Sequence, residues 1–256
     1  MTQLAAILLV AVSLYDQSLV RLLGERFPDP GISYLFLDAR SGGLLDSRWP
    51  DAGRPAAVGS LVKPFTALAY GEAHQFRYPD FVCRGKASRC WLERGHGRIG
   101  IVEAVAQSCN AYFRGLAAEV RQADLASVAQ RYGLDGPPVG ASADTLIGLG
   151  SGWTIAPVAL ARAYCRLIQE PRAADVVRGM ALSARAGTGR AAGLGLVKTG
   201  TAPCAHEPRA PGDGYAMAFY PAEAPRYALL VRVHGVPGAE AARVAGKMLR
   251  VIRDGK

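Results

Sequence analysis

The apolar positions of this chain change period along its length, and each change marks an element. Residues 13–26 read as a helix, stopped at FPDPG by two prolines and a glycine. Ile32 to Ala39 (ISYLFLDA) is dense in aromatic and branched side chains and reads as a buried strand. SGG then turns the chain and LLDSRW returns as the second strand of a hairpin. Residues 60–73 predict a helix, with Pro64 tolerated in the first turn because its missing N–H has no helical partner there. A loop bearing cysteine and glycine covers 80–98. Ile101 to Val120 carries apolar residues at helical spacing, as two short helices, and ADLASVAQRYGL is another helix closed by Gly133. Residues 136–152 are loop-rich. Thr154 to Gln169 is helical again, with Pro157 near its start, and 172–186 is a weaker helix. From Gly193 the texture becomes strand-like through LGLVKTGTA, YAMAFYP and RYALLVRVHG, and AEAARVAGKMLRVIRDG closes the chain as an amphipathic helix.

Sheet elements at both ends with a helical block between them, about 60–185, predict an α+β fold of two lobes meeting at a cleft. No tandem repeat or low-complexity linker interrupts this order. The 256 residues are half hydrophobic and 20% charged, enough for a real core and too apolar for wholesale disorder. The net charge of +9 is nearly all arginine and is spread along the chain. It therefore reads as a basic solvated face, with no run dense enough for a nucleic-acid-binding arm.

Two features leave alternatives open. The apolar run Leu4–Val12 is too short to span a bilayer. It has the length of a signal-peptide core but no positive segment before it, so residues 1–26 read as a signal, an anchor or a first helix. The five cysteines, Cys83, Cys90, Cys109, Cys165 and Cys204, contain no close CxxC pair, which argues against a zinc module. Cys83 and Cys90 would close a small disulfide loop in an exported chain, and buried free thiols are the other reading.

Three short fragments carry candidate chemistry. In GSLVKP, Ser60 and Lys63 lie one helical turn apart on one face, so a neutral Lys63 could take the serine proton. A free lysine titrates near 10.4, so such a base needs its pKa lowered by about three units, which burial and a second cation supply. Taken alone, Ser60 also reads as a helix cap and Lys63 as a surface residue. In QSCNAYF, Ser108 and Asn110 bracket Cys109 and would face a cleft together from a turn between helices; helix capping is the plainer reading. In LVKTGTA, Lys198 offers a cation and Thr201 a donor for a carboxylate, and Gly200 leaves room for a ligand backbone to approach; an ordinary edge strand is the alternative.

Together and in this order, SxxK, SxN and KTG resemble the penicillin-binding transpeptidase and serine β-lactamase superfamily. The likeness extends beyond the motifs. VGSLVKPFTALAY resembles the nucleophile helix of class B penicillin-binding proteins. CWLERGHGRIGIVEAVAQSCNAYF is similar to their stretch from a Cys-Trp pair through His-Gly to the second motif. GLGSGWTIAPVALARAYCRL resembles their threonine-proline helix start after a glycine-rich turn, and GYAMAFYPAEAPRYALLVRV the strands beside KTG. The resemblance runs from Tyr34 to Ile252. It implies a β-lactamase/transpeptidase-like α+β fold: one domain over 1–256, with an antiparallel sheet flanked by helices (27–59 and 187–256), an inserted all-helical lobe (60–186), and the active site between the lobes.

It also implies roles. Ser60 is the nucleophile and Lys63 its general base; Ser108 relays the proton, Asn110 holds the substrate amide, and Lys198 keeps the field positive. Thr199 and Thr201, with Gly200 between them, grip the terminal carboxylate, and the backbone N–H groups of Ser60 and Thr201 form the oxyanion hole. His96 and Gly97 match a His-Gly pair with a structural role beside the second motif, whereas His74, His206 and His234 read as solvated or capping residues. The implied reaction is acyl transfer on D-alanyl-D-alanine stem peptides outside the cytoplasmic membrane, with β-lactams as covalent inhibitors and no metal or organic cofactor. Cell-wall assembly proteins are the implied partners, with membrane association through the N-terminus. A D,D-carboxypeptidase, a weak β-lactamase and a non-catalytic penicillin-binding sensor or scaffold are the alternatives. The chain departs from the family pattern at Val58, where a proline is usual, in a short 202–214 loop, and in the brevity of what precedes the first strand, which suggests a compact stand-alone protein.

Overall fold

The computed structural model describes residues 13–204, 207 and 209–256. The apolar run at Leu4–Val12 and His206 lie outside the described residues. The first element is α1 (Leu14–Arg26), started by a capping box in which Ser13 and Asp16 satisfy each other's backbone N–H. Then follow β1 (Ile32–Asp38) and β2 (Leu44–Arg48), paired antiparallel with a register shift between Phe36 and Leu37. At the other end of the chain lie β7 (Leu196–Ala202), β8 (Asp213–Tyr220), β9 (Tyr227–Val233) and α9 (Gly238–Asp254). These strands form one five-stranded antiparallel sheet in the order β2-β1-β9-β8-β7. Ile32 opposes Val233 and Asp38 opposes Tyr227, so the N-terminal strand is stitched along its full length to the last one.

Strand alternation gives the sheet two buried faces. Phe36, Ala216, Ala218, Leu229 and Val231 face α1 and α9, which contribute Leu19, Leu23, Ala245, Met248 and Leu249. Leu35, Leu37, Met217, Phe219 and Leu230 face the helical block and join the larger core. Helix α1 is thus an integral layer: Leu19 and Leu23 are 0% exposed, so this part of the N-terminal segment is folded against the sheet.

Between the two sheet-forming ends run α2 (Lys63–Ala73), α3 (Ile101–Ala106), α4 (Asn110–Glu119), α5 (Gln122–Arg131), α6 (Ala143–Leu146), α7 (Pro157–Leu167) and α8 (Ala174–Ala186). Helix α2 is the hub. Every residue from Lys63 to Gly71 is buried, and Phe65 meets the rings of Tyr132 and Tyr164 edge-on. A helix apolar on all sides is a core helix.

Three stretches differ from the sequence reading. The helix expected from residue 60 opens as a tight 3-10 turn over Gly59–Val62 before α2 begins. The loop expected at 80–98 contains a small hairpin, β4 (Phe81–Cys83) with β5 (Gly97–Ile99), because the glycines at 85 and 95 let its two arms touch. A Cβ on Gly85 would fall 1.8 Å from the Glu93 carbonyl oxygen, a contact only glycine permits. The start of the 154–169 helix is taken by β6 (Thr154–Ile155), which pairs with β3 (Ala56–Ala57) just before the 3-10 turn. All five cysteines are free thiols, so Cys83 and Cys90 close no disulfide loop.

Truncating Leu23 to alanine removes a fully buried side chain from the α1–sheet interface. Leu23→Ala should lower stability by about 2–5 kcal/mol, read as the urea midpoint of unfolding; a change within 0.5 kcal/mol would mean that α1 is not docked.

Candidate active site

The 3-10 turn over Gly59–Val62 is pressed against β7. Gly59 has φ +59°, and a Cβ there would lie 2.3 Å from the Thr201 carbonyl oxygen and 2.8 Å from its nitrogen. Gly200 answers from the strand: its Cβ would lie 2.6 Å from the Val58 carbonyl oxygen. Backbone therefore meets backbone with no side chain between, which sets the turn that carries Ser60 directly against Thr201. The Tyr164 hydroxyl donates to the Leu61 carbonyl at 2.7 Å and the Thr66 hydroxyl to that of Leu146 at 2.6 Å, fixing the turn from the helical side. Ser60 is half-buried at the surface of this turn.

Lys63 extends from the start of α2 into the core and is 0% exposed. Its amine donates to the Ser108 carbonyl at 2.8 Å, to Asn110 Oδ1 at 2.6 Å and to Ser108 Oγ at 3.3 Å. Ser108 lies in the turn between α3 and α4 with φ +49°, a left-handed backbone that costs a non-glycine residue of order 1–3 kcal/mol and is held by its surroundings. That conformation turns both its carbonyl and its hydroxyl toward Lys63. From the opposite wall, Lys198 Nζ donates to the same hydroxyl at 2.9 Å and to the Thr199 carbonyl at 2.6 Å. One serine hydroxyl thus joins the two lysines. Ser60 Oγ makes no hydrogen bond to Lys63, whose amine is turned to Ser108 and Asn110.

Neither amine is ion-paired among the described residues. Burial brings Lys63 down to about 7; the Cys109 and Cys90 thiols oppose that shift and Arg114 adds to it. Burial, and then Lys63 itself, holds Lys198 well below the ordinary lysine value. Two amines on one oxygen in a site this dry do not both keep a proton near neutral pH, so they titrate as a pair.

Strand β7 is the edge of the sheet, and among the described residues β8 is the one strand paired with it, so its outer backbone edge carries no strand. Lys198 lies on the side turned to the helical block. The Thr199 hydroxyl donates to Thr188 Oγ1 at 2.6 Å, and Thr201 Oγ1 accepts the Gly238 N–H at 2.9 Å, which leaves the Thr201 hydroxyl hydrogen for an outside acceptor. Thr201 is the one exposed residue of the strand. The arrangement thus offers a half-buried serine, a lysine poised near neutrality, and a hydroxyl between two amines beside an edge strand. Groups of these kinds can support acyl transfer through a serine.

Several residues at the site escaped sequence reading. Thr188 holds Thr199 and has no motif of its own. Arg114 pairs with Asp144, which also takes Arg89 at 2.8 Å, and this links α4 to α6 and to the cysteine loop. The spacing that argued against a metal module does not show where its cysteines lie. Cys83, Cys90, His96 and Cys109 converge, with their ligand-type atoms all within 4.8 Å of one another. Their spacing, C-x6-C-x5-H-x12-C, matches no short pattern because the hairpin, not the sequence, brings them together. His234 likewise has a partner that spacing did not suggest, Asp213 at 3.1 Å, and His74 stacks on Tyr70.

The family model described as the penicillin binding protein transpeptidase domain matches residues 52–252. Three solved structures are similar. PBP2 of Pseudomonas aeruginosa, in complex with WCK 5153, aligns with a TM-score of 0.72 at 18% identity, covering 95% of this chain and 74% of that one. The complex between penicillin-binding protein PBP2 and MreC from Helicobacter pylori gives 0.75 at 19%, covering 94% and 63%. A chain of a peptidoglycan synthase complex that coordinates polymerization and crosslinking gives 0.69 at 17%, covering 93% and 59%. The chain thus spans less than two thirds of two of these, and the likeness at such identities is one of fold. No curated protein matches the chain in sequence.

The backbone contact at Gly59 is open to direct test. Gly59→Ala puts a methyl group into the Thr201 peptide at a left-handed position, and should cost about 1–3 kcal/mol of stability by urea unfolding. An unchanged midpoint would mean that the turn and β7 do not touch.

Proposed function

We propose, for a chain that belongs to the penicillin binding protein transpeptidase family, the activity of a serine-type D,D-transpeptidase on D-alanyl-D-alanine stem peptides of peptidoglycan. The observation that carries this reading is the Ser108 hydroxyl held between Lys63 and Lys198, 3.3 and 2.9 Å away. A proton-transfer chain of that kind is what acyl transfer to an amine needs, and a merely structural turn does not.

In this reading Ser60 Oγ attacks the carbonyl carbon of the penultimate D-alanine. Neutral Lys63, swinging from Ser108 toward Ser60, takes the hydroxyl proton as the new C–O bond forms; catalytic hydrogen bonds of this kind are often made only with substrate present. The negative oxygen that develops is received by the N–H groups of Ser60 and Thr201, each worth about 3 kcal/mol in such a role. Collapse breaks the C–N bond, and the proton passes by way of Ser108 to the departing D-alanine nitrogen. An amine of a neighbouring stem then attacks the acyl-enzyme, loses its proton along the same path, and frees Ser60. The amide NH2 of Asn110, whose oxygen already serves Lys63, holds the substrate carbonyl. The Thr201 hydroxyl receives the terminal carboxylate, joined by that of Thr199 once it turns from Thr188, with Lys198 behind them, and the edge of β7 at Gly200 pairs with the extended peptide. The cleft lies between a sheet lobe (27–59 and 187–256) and a helical lobe (60–186). The substrate sets the location, outside the cytoplasmic membrane. Among the described residues no helix is long and apolar enough to cross a membrane. Cell-wall assembly proteins are the partners this reading implies, since one similar PBP2 structure is a complex with MreC.

A fluorescent penicillin should label the wild-type chain covalently and leave Ser60→Ala unlabelled; an unlabelled wild type would sink the enzyme reading in favour of a non-catalytic scaffold. Incubation with a stem peptide and an amine acceptor, followed by mass spectrometry, should yield the cross-linked product, whereas hydrolysed peptide alone would indicate a carboxypeptidase. Lys63→Ala should slow acylation by about 10²–10⁴-fold.

The pH dependence has a definite sign. A base must be deprotonated to act, so the acylation rate should rise through pH about 7 and level off above it. A rate still climbing steeply beyond pH 9 would mean an unshifted lysine (about 10.4 when free) and would remove Lys63 from the role.

A further inference from the structure

The cysteine-bearing hairpin brings together four side chains that the acyl-transfer reading does not use as reactive groups. Cys83 ends β4, Cys90 follows the turn over Gly85–Ser88, His96 directly precedes β5, and Cys109 caps the N-terminus of α4. Cys90 Sγ lies 3.7 Å from Cys109 Sγ and 3.6 Å from His96 Nδ1. A tetrahedral zinc with Zn–S of about 2.3 Å and Zn–N of about 2.0–2.1 Å has sulfur–sulfur edges of about 3.8 Å and sulfur–nitrogen edges of about 3.6 Å. Two edges of that tetrahedron are thus already present. All four donor atoms fall within 4.8 Å of one another, so closing the remaining edges takes a contraction of at most about 1.2 Å.

Three further observations favour an ion over a plain thiol cluster. Cys83 and Cys109 are buried, 2% and 0% exposed, and bulk solvent does not separate the donors. His96 turns Nδ1 toward Cys90 Sγ, whereas its buried Nε2 has no hydrogen-bond partner among the described residues, so the imidazole is held on the thiol side of its ring. The backbone is shaped to close the loop: Gly85 and Gly95 both have positive φ, and a Cβ on Gly95 would fall 2.2 Å from the Cys83 carbonyl oxygen. Three thiols and one imidazole in a tetrahedral setting select a soft divalent ion of zinc type over magnesium or calcium, which prefer six or more oxygen ligands.

We infer that Cys83, Cys90, His96 and Cys109 form a structural zinc site that pins the β4–β5 hairpin to the turn carrying Ser108 and Asn110. Four protein ligands leave no open coordination position, so the ion takes no part in chemistry. Binding displaces the thiol protons to solvent and forms three S–Zn bonds and one N–Zn bond, with no change in oxidation state. Cys109 stands between Ser108 and Asn110 in the chain, so its ligation supplies the outside restraint that holds Ser108 at φ +49°. The site stands on this geometry whether or not the chain is a transpeptidase.

The test uses the full chain, purified under reducing conditions without chelator, and reads metal content rather than activity. Elemental analysis should find about one zinc per chain, and exchange with cobalt(II) should give the thiolate-to-cobalt absorption and d–d bands of a tetrahedral site. Cys90→Ser should reduce the bound zinc at least tenfold, while Cys204→Ser, in the 203–212 loop, should keep it. If Cys90→Ser does not fold, the cobalt spectrum of the wild-type chain decides. A folded, reduced wild-type chain that takes up neither zinc nor cobalt would overturn the assignment. So would zinc retained undiminished by Cys90→Ser, or a Cys90–Cys109 disulfide found by peptide mapping of the purified protein.

Discussion

Two lysine amines buried against one serine hydroxyl, with no carboxylate beside either among the described residues, are the constraint around which the rest of the molecule is arranged. An unpaired charge in such a place costs several kcal/mol, and the protein meets that cost by letting the amines lose protons rather than by supplying an anion. Lys63 Nζ is ringed by the Ser108 carbonyl, the Ser108 hydroxyl and Asn110 Oδ1, and Lys198 Nζ by the Ser108 hydroxyl and the Thr199 carbonyl. Each oxygen is therefore placed for an amine that works near neutrality. That arrangement survives only if the three segments carrying it cannot drift apart.

The restraint is built from backbone. β7 is clasped on one side by the Gly59–Val62 turn, through Gly59 and Gly200, and on the other by the start of α9, where a Cβ on Gly238 would lie 2.3 Å from the Gly200 carbonyl oxygen. Side chains with rotamer freedom would blur such contacts by an ångström or more, whereas bare peptide groups do not. Behind β7 the sheet is buried on both faces, so the strand that carries Lys198 cannot slide without dislocating two cores. The open edge and the exposed Thr201 are the places where this rigid assembly meets solvent.

The second motif is held differently. Its turn carries a strained serine and joins two short helices, and its outside support comes from the loop that precedes it. Arg114 and Arg89 meet at Asp144, Trp91 donates to the Gln107 carbonyl, and the cysteine–histidine cluster closes on Cys109 itself. The loop that looks irregular in sequence is in this sense the scaffold of the Ser108–Asn110 turn.

Much of this was legible before the fold was known, and for definite reasons. Period-two and period-3.6 patterns are local, so α1, β1, α4, α5 and the three C-terminal strands could be read from them. The spacings of Ser60 to Lys63 and of Ser108 to Asn110, and the run from Lys198 to Thr201, are likewise short, so each stays within one strand or one turn-to-helix junction. Tertiary structure alone decided what depends on distant segments meeting: the two lysines sharing Ser108, Thr188 under Thr199, Asp213 beside His234, and the convergence of Cys83, Cys90, His96 and Cys109 across 27 positions of sequence. A linear pattern records which groups a chain owns. Whether a buried amine meets a hydroxyl, or a thiol meets another thiol, depends on chain folding that no local period encodes.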